Sequence, residues 1–272
     1  LFPLLKRINN TIKISKMDKF LISILTAFFL IGSVIACNAP NLKSQSNTNV
    51  PSHEEWDELL KKHVNDKGLV DYQGMLKDSS KLQSYLAKLE RGVPSDSWTD
   101  NEKLAFWINA YNAFTVELII DHYPVNSIKD IKDGIAFVNT VWQIKFIEIG
   151  DNKLHLDNIE HGIVRKNFDD PRIHAAFVCA AISCPRLRNE AYTAEKIDTQ
   201  LDEEMSYWIN DSGKNKINSS SSAELSSLFK WYSGDFKSSG GVISVINKYA
   251  DTKLDTDAEL TYMDYDWTLN EQ

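Results

Sequence analysis

The sequence predicts an α+β fold: a single compact domain, mostly helical around a small sheet, with a long buried central helix at about residues 100–122. Three observations support this class. Helical periodicities outnumber strand-like alternations, strands and helices do not alternate regularly along the chain, and residues 53–272 are numerous enough for one sizeable core. The same region contains no second linker and no internal repeat. We therefore expect one domain over residues 53–272.

Residues 1–36 are predicted to be upstream sequence followed by a lipoprotein signal peptide, with translation starting at Met17. Lys19 precedes an apolar run that ends at Ala36, just before Cys37, which is the order of charged region, apolar region and small-residue cleavage site in secretory signals. The residues VIAC at 34–37 resemble a bacterial lipobox, so Cys37 is the expected lipidation site. The alternative is an uncleaved membrane anchor, for which the run has about the minimum length.

Residues 37–52 are predicted to be the lipidated cysteine and a flexible tether, because they are polar and contain prolines but no apolar periodicity. No acidic residue follows Cys37 before Glu54. By resemblance to lipoprotein sorting signals, we expect an exported, membrane-anchored lipoprotein that faces the periplasm from the outer membrane.

The charge of the chain limits its partners. The net charge is −8 overall and becomes −12 once the five bases and one acid before Cys37 are removed. An acidic chain is unsuited to binding nucleic acid or to lying flat on anionic lipid, since both require basic patches. We expect contact with the membrane through the N-terminal lipid alone and no nucleic-acid partner.

Capping signals locate the helices of the first half. Helices are predicted just after Ser52 and at about residues 81–90, and the longest helix starts at the capping box of Thr99 and Glu102. This helix is apolar nearly all round, as expected of a buried helix. Asn109 and Asn112 interrupt it one turn apart. An unpaired buried amide costs about 1–3 kcal/mol, so they either tie neighbouring loops to the helix or line a binding site.

The second half of the chain mixes strands with helices. The pattern predicts, in chain order, a hairpin of residues 141–149 and 153–156, a short helix at 157–166, a buried strand at 172–180, helices at 194–209, 223–231 and 242–249, and a closing strand at 259–270.

Five motifs in these elements carry a family resemblance. They are FWINAYNAFTVELIIDHYP, LDNIEHGIVRKNF, DPRIHAAFVCAAISCPRLRNEAY, LFKWYSGDF and YMDYDWTLN. Together they resemble the uncharacterised bacterial and plant family known as domain of unknown function 547, from about Trp56 to Asn270. The resemblance implies a lipoprotein-borne copy of that domain. It implies no activity.

The third motif holds Cys179 and Cys184, which allow three interpretations. The first is a disulfide. Exported compartments oxidise thiols, and setting aside Cys37 leaves an even number of cysteines. A bridge here would pin the end of the predicted strand to the Ser183–Pro185 turn, and so short a loop contributes about 2 kcal/mol in the chain-entropy model.

The second interpretation makes Cys184 a nucleophile, since a thiolate needs a nearby imidazolium or helix N-terminus. The base would be His161 or His174. The residues that would orient its ring are Glu160, Asp157 or Asn109. A cysteine-dependent hydrolase or acyltransferase acting on peptide-like envelope substrates would fit. The alternative is a non-catalytic, lipid-tethered binding or scaffold module with a structural disulfide, so whether the chain is an enzyme stays open.

The third interpretation is a metal site, built from His161, His174, Cys179 and Cys184. Two cysteines and two histidines are a valid zinc set, but their spacings match no common zinc pattern and oxidised cysteines cannot ligate. We therefore expect no metal. Nucleotide-binding, α/β-hydrolase and zincin motifs are missing from the sequence, and we expect no cofactor.

Other side chains are candidates for ligand contacts. Arg172 and Arg186 flank the cysteine segment and would pair with Asp169, Asp170 or a ligand carboxylate. The C-terminal aromatic residues are expected to pack the core, or alternatively to line a sugar or peptide groove; they are Trp231, Tyr232, Tyr262, Tyr265 and Trp267. The partner would be an envelope peptide, glycan or protein.

Overall fold

Helices dominate the computed structural model, which describes residues 49–132 and 140–272. In these two ranges the α-helices are, in chain order, α1 (Glu54–His63), α2 (Tyr72–Lys77), α3 (Ser79–Arg91), α4 (Asp100–Asp121), α5 (Arg165–Asn167), α6 (Ile197–Asn210), α7 (Ser227–Trp231) and α8 (Val242–Tyr249). The helices of other types are three 3₁₀-helices at Ile128–Asp130, Val141–Gln143 and Pro171–Ala175, and one π-helix at Asn158–Val164.

The described strands form two small sheets of two strands each. β1 (Ile147–Ile149) and β2 (Asn152–Leu154) make an antiparallel hairpin where the sequence predicts one. The first strand is shorter than the predicted 141–149, because Val141–Gln143 is a 3₁₀-helix. β3 (Ser222–Leu225) and β4 (Glu259–Tyr262) pair in parallel. The predicted α+β class is therefore confirmed, with the β-structure divided into two separate pieces.

The long central helix predicted at about residues 100–122 is confirmed as α4. Thr99 and Glu102 form the predicted capping box, in which the Thr99 hydroxyl accepts the Glu102 amide hydrogen and the Glu102 carboxylate accepts that of Thr99. The helix is buried on nearly every side over residues 104–120. It packs against α2, α3, α6 and the π-helix, and so forms the centre of the fold.

Buried side chains form two hydrophobic clusters. The larger surrounds α4 and includes Phe106, Phe114 and Ile119. The smaller lies among α6, α7 and α8 and includes Trp208 and Phe229, whose rings stack 4.4 Å apart. All described residues belong to one compact unit of the chain.

The predicted buried strand at residues 172–180 is wrong. Pro171–Ala175 is a 3₁₀-helix, because the Asp170 side chain accepts the Arg172 amide hydrogen and Pro171 pre-sets a helical φ at the start. The backbone that follows does not join a sheet. The Asn112 amide holds it instead, accepting from the Val178 amide nitrogen at 3.0 Å.

Two further predicted elements differ from the structure. The predicted helix at 223–231 begins with β3, because residues 222–225 pair with β4, and only Ser227–Trp231 is helical. The predicted helix at 157–166 is mostly a π-helix. Such wide turns are rare and occur frequently at functional sites.

The predicted signal peptide, the lipidation site Cys37 and most of the tether lie outside the described residues. The described end of the tether contacts the domain, since Val50 packs against the larger cluster and Pro51 lies against Gly92. Within residues 49–132 and 140–272, no helix has the length and apolar character needed to cross a bilayer.

Candidate functional site

A cavity of about 210 Å³ opens where the two hydrophobic clusters meet. Its walls are mostly aromatic, and its polar groups are carboxylates, imidazoles and tyrosine hydroxyls. The residues that line it are Tyr111, Trp142, Asp157, Glu160, His161, His174, Phe177, Cys179, Cys184, Leu228, Trp231, Tyr232, Tyr265 and Trp267.

The π-helix and Asp157, the residue just before it, bring two carboxylates and one histidine to this cavity. Glu160 is buried, with 7 % of its surface exposed. Nδ1 of His161 lies 3.8 Å from a Glu160 oxygen, and Nε2 of the same ring lies 3.8 Å from an Asp157 oxygen. The imidazole therefore stands between the two acidic side chains.

Asp235 and Arg165 together connect the two histidines of the cavity: Asp235 bonds His174, and Arg165 bonds both Asp235 and His161. The Arg165 guanidinium donates to both Asp235 oxygens, at 2.6 and 2.8 Å, and to Nδ1 of His161 at 2.8 Å. Because a guanidinium only donates, Nδ1 of His161 accepts and its ring hydrogen lies on Nε2. Asp235 also bonds Nε2 of His174 at 2.8 Å, and the His174 ring stacks on Tyr232.

Burial and charge shift the pKa values of several of these groups. Burial raises the pKa of the Asp157 carboxyl, and the nearby His161 opposes that shift. Burial, with the charge of Glu160 adding to it, raises the pKa of Tyr111, Tyr232 and Tyr265. Arg165 and His174 hold the pKa of Asp235 well below its usual range against the effect of burial. The tyrosines thus stay protonated donors, and Asp235 stays a carboxylate.

The predicted disulfide between Cys179 and Cys184 is present and forms part of the cavity wall. The Tyr265 hydroxyl lies 3.2 Å from the Cys179 sulfur and 3.1 Å from the Cys184 sulfur. Between the cysteines, Ala180 adopts a left-handed backbone with φ of 55°, which is unfavourable for a residue with a side chain. The Cys179–Cys184 segment is therefore a tight, crosslinked turn.

Aromatic rings from the C-terminal part of the chain make one side of the cavity. Trp231, Tyr265 and Trp267 contact one another, with ring centroids 4.5–6.2 Å apart, and Trp142 packs edge-on against Trp267. We call these four residues the aromatic wall. Half of the surface of Trp231 is exposed, which is unusual for a side chain this large.

The last residues of the chain hold this wall in place. The backbone of residues 268–270 bonds that of residues 180–182, with the Ile182 amide donating to the Thr268 carbonyl at 2.8 Å. The predicted closing strand at 259–270 is therefore only partly correct: β4 ends at Tyr262, and the rest is an irregular segment that sets Tyr265 and Trp267 beside the disulfide.

Several residues predicted to bind or catalyse lie together here. Glu160, His161, His174 and Cys184 all line the cavity. Asn109 and Asn112 do not line it. Each bridges a buried backbone segment instead, Asn109 at Tyr192 and Asn112 at residues 176–178.

Arg172 and Arg186 also lie outside the cavity lining and have acidic partners. Arg172 pairs with Asp170, which is one of the partners predicted from the sequence. It also pairs with Asp198 and Asp202. Arg186 pairs with the buried Glu204.

The site also contains residues that were not predicted from the sequence to belong to it. Asp235 orients His174, and Tyr111, Phe177 and Trp142 contribute to the walls. Only Asp235 has a sequence signal, as the single acid in the LFKWYSGDF motif. Tyr111 and Phe177 are indistinguishable by sequence from core aromatic residues.

Metal binding has no support in residues 49–132 and 140–272, where no group of three or more metal-ligating side chains is suitably placed. The proposed zinc set fails for a chemical reason as well, because both cysteines are oxidised. Within the described residues, three larger depressions, of about 260, 430 and 740 Å³, contain charged residues such as Lys216, Lys196 and Arg186, each of which already forms an ion pair.

Replacing both Cys179 and Cys184 by serine is expected to lower the free energy of unfolding by about 2 kcal/mol, because the crosslink restricts the unfolded chain. Urea denaturation with and without dithiothreitol measures this loss. The reductant should destabilise the wild type and leave the double variant unchanged. A count of free thiols in the denatured chain should rise by two on reduction, and no rise would contradict the disulfide.

Comparison with known families supports a resemblance and gives no activity. Residues 95–209 match the model of the family described as "Protein of unknown function, DUF547". The match confirms the resemblance over this range, which contains α4, the π-helix and the disulfide. Trp231, Asp235, Tyr265 and Trp267 lie beyond it. No curated protein and no solved structure matches the chain.

Proposed function

Because residues 95–209 resemble a family that brings no activity with it, we propose a function from the cavity itself: this chain is a lipid-tethered, exported ligand-binding protein. Its cavity takes up a small ligand, or a projecting group of an envelope peptide or glycan, and the Cys179–Cys184 disulfide is structural. The proposal rests on one observation: the aromatic wall and two carboxylates line the same cavity of about 210 Å³. Such a concave site with a few convergent polar groups is typical of ligand binding.

Binding is favoured over thiol catalysis by the state of the candidate catalytic groups. Cys184 is oxidised and so offers no thiolate. Both candidate bases are engaged, since Nδ1 of His161 accepts from Arg165 and Nε2 of His174 bonds Asp235. The tether is supported by the signal-like residues 1–36 and Cys37, and the envelope location would keep the disulfide oxidised.

Replacing Trp231 by leucine is expected to weaken ligand binding about ten-fold, because a stacked aromatic face is lost from the cavity rim. Peptide and glycan fragments of the envelope are titrated against the purified chain, and binding is followed by tryptophan fluorescence and by the rise in melting temperature. Leu76→Ala is the control, since Leu76 is a comparably exposed apolar side chain remote in sequence from the cavity residues, with 44 % of its surface accessible.

Two results would reject this function. Either no fragment binds the wild type, or Trp231→Leu and Leu76→Ala bind equally well. Folding of both variants is checked by circular dichroism, so that a loss of binding is not mistaken for a loss of structure.

A second candidate, a cysteine-dependent hydrolase or acyltransferase acting on peptide-like substrates, rests on one observation: the disulfide lies in the same cavity as His161 and His174. A dithiol reductant would have to release the thiol first. Peptide or ester turnover that appears only after reduction and is lost in Cys184→Ser, but not in Cys179→Ser, would favour it over the binding function.

A further inference from the structure

Building on this proposed binding function, we infer that the cavity recognises a protonated primary amine carried on an apolar stem, such as the end of a diamine or the side chain of a diamino acid. Three features of the described residues lead to this ligand class: the charge of the lining, the faces of the aromatic wall and the size of the cavity.

The lining is acidic and has no strong base. Of its fourteen residues two are carboxylates and none is lysine or arginine. Among residues 49–132 and 140–272, His161 is the only basic side chain within 4 Å of Asp157 and Glu160. Its Nδ1 accepts from Arg165 and so offers Glu160 no hydrogen. The hydroxyls of Tyr111 and Tyr232 hydrogen bond to Glu160 but bring no charge. A buried carboxylate is costly unless an opposite charge compensates it. An incoming ammonium group would supply that charge.

The nearest arginine is committed elsewhere. All three nitrogens of the Arg165 guanidinium donate, two to Asp235 and one to His161. Asp235 is in turn compensated by Arg165 and His174 together. Arg165 acts on Glu160 only through its charge at longer range, so Glu160 and Asp157 are the carboxylates left to bind a ligand directly.

The aromatic wall favours a cation as well. The faces of tryptophan and tyrosine rings are electronegative and attract ammonium groups that approach within about 6 Å of the ring centroid. One ring of the wall already binds such a group from this chain: the Lys129 ammonium lies 4.7 Å from the Trp267 ring centroid. Lys129 is not among the residues that line the cavity.

The size of the cavity fits a short stem with one or two polar ends. At about 210 Å³ the cavity is smaller than the roughly 300–1,000 Å³ typical of sites for drug-sized ligands, which favours a short molecule such as a five-carbon diamine. An anionic ligand is disfavoured by the two carboxylates. A neutral ligand would leave the Glu160 carboxylate with hydrogen bonds from tyrosine hydroxyls but with no cation among the lining residues.

Calorimetric titration of the full chain at physiological ionic strength tests the inference with three probes of equal length: 1,5-diaminopentane, 1,5-pentanediol and glutarate. We expect the diamine to bind at least ten-fold more tightly than the diol, and glutarate not to bind. Glu160→Gln should weaken diamine binding about ten-fold while leaving binding of the diol unchanged. Glu148→Gln, an exposed carboxylate in β1, is the control and should bind as the wild type does.

The possible results separate the ligand class from the binding function. Two results would overturn the amine ligand and leave the binding function standing. One is equal binding of the diamine and the diol. The other is binding of a neutral glycan fragment that is abolished in Trp231→Leu but not in Glu160→Gln. If Glu160→Gln and Glu148→Gln reduce diamine binding equally, the diamine binds only the acidic surface in general, and the amine site is overturned. Failure of every probe and every envelope fragment overturns both.

Discussion

Replacing Glu204 by glutamine is expected to lower the free energy of unfolding by about 3 kcal/mol. Glu204 lies in α6 with 1 % of its side chain exposed, and it accepts from Arg186 at 2.9 Å and from Arg188 at 2.8 Å. The glutamine keeps the shape of the side chain but removes its charge. Two partly buried guanidinium groups then lose the carboxylate that they share. Removing one partner of a buried ion pair is costly, because the remaining charge is left uncompensated.

Glu203 provides a matched control on the same helix. Its carboxylate lies 2.7 Å from the same Arg188, but 52 % of its side chain is exposed. Solvent screens such a pair, so Glu203→Gln should change stability by no more than about 1 kcal/mol. Urea denaturation followed by circular dichroism measures both variants. Equal losses would show that burial does not govern the strength of this network.

This network explains why Arg186 is a structural residue in the fold. Its guanidinium stacks on the Tyr207 ring, with 3.7 Å from the guanidinium carbon to the ring centroid, and bonds the Asp66 backbone carbonyl as well as Glu204. Arg186 follows Cys184 by two residues. The network therefore holds one side of the crosslinked turn against α6, and the turn forms part of the cavity wall.

Elements with local signals were predictable from the sequence. The start of α4 follows from a capping box within four residues, and its burial follows from the apolar residues all round it. The β1–β2 hairpin follows from the turn at Gly150, whose φ of 59° is readily adopted by glycine. In both cases the residues that determine the element are close together in the chain.

Elements that depend on distant partners were not predictable in this way. β3 and β4 pair although they lie more than thirty residues apart, and no local pattern marks their parallel register. Residues 172–180 have the apolar composition of a buried strand. Their conformation is set instead by the Asp170 cap and by the side chain of Asn112 in α4.

The candidate site was predictable in its charged part and not in its walls. Glu160, His161, His174 and the two cysteines stand out because their side chains can carry a proton, a charge or a reactive sulfur. Asp235 bonds His174 across 61 residues, a pairing that one sequence does not reveal. The aromatic residues of the wall look like core residues until the fold shows that they face a cavity.

Replacing Asn112 by leucine is expected to lower the free energy of unfolding by about 2–4 kcal/mol, because two buried backbone groups lose their partners. The Asn112 side chain donates to the Ala176 carbonyl at 2.9 Å and accepts from the Val178 amide at 3.0 Å. Leucine is similar in size to asparagine, so the decrease in the free energy of unfolding reflects the lost hydrogen bonds more than the creation of a cavity. Since this segment leads into Cys179, the variant should also weaken ligand binding.

Asn210 makes the same kind of bridge at the surface, which makes Asn210→Leu the control. Its side chain donates to the Tyr249 carbonyl at 3.0 Å and accepts from the Asp251 amide at 2.8 Å, but the site is exposed and water can replace it. We expect a loss below about 1 kcal/mol. Urea denaturation of the two variants distinguishes buried from exposed bridging. A loss at residue 112 no larger than that at residue 210 would mean that the segment from Ala176 to Val178 is held by packing rather than by the amide.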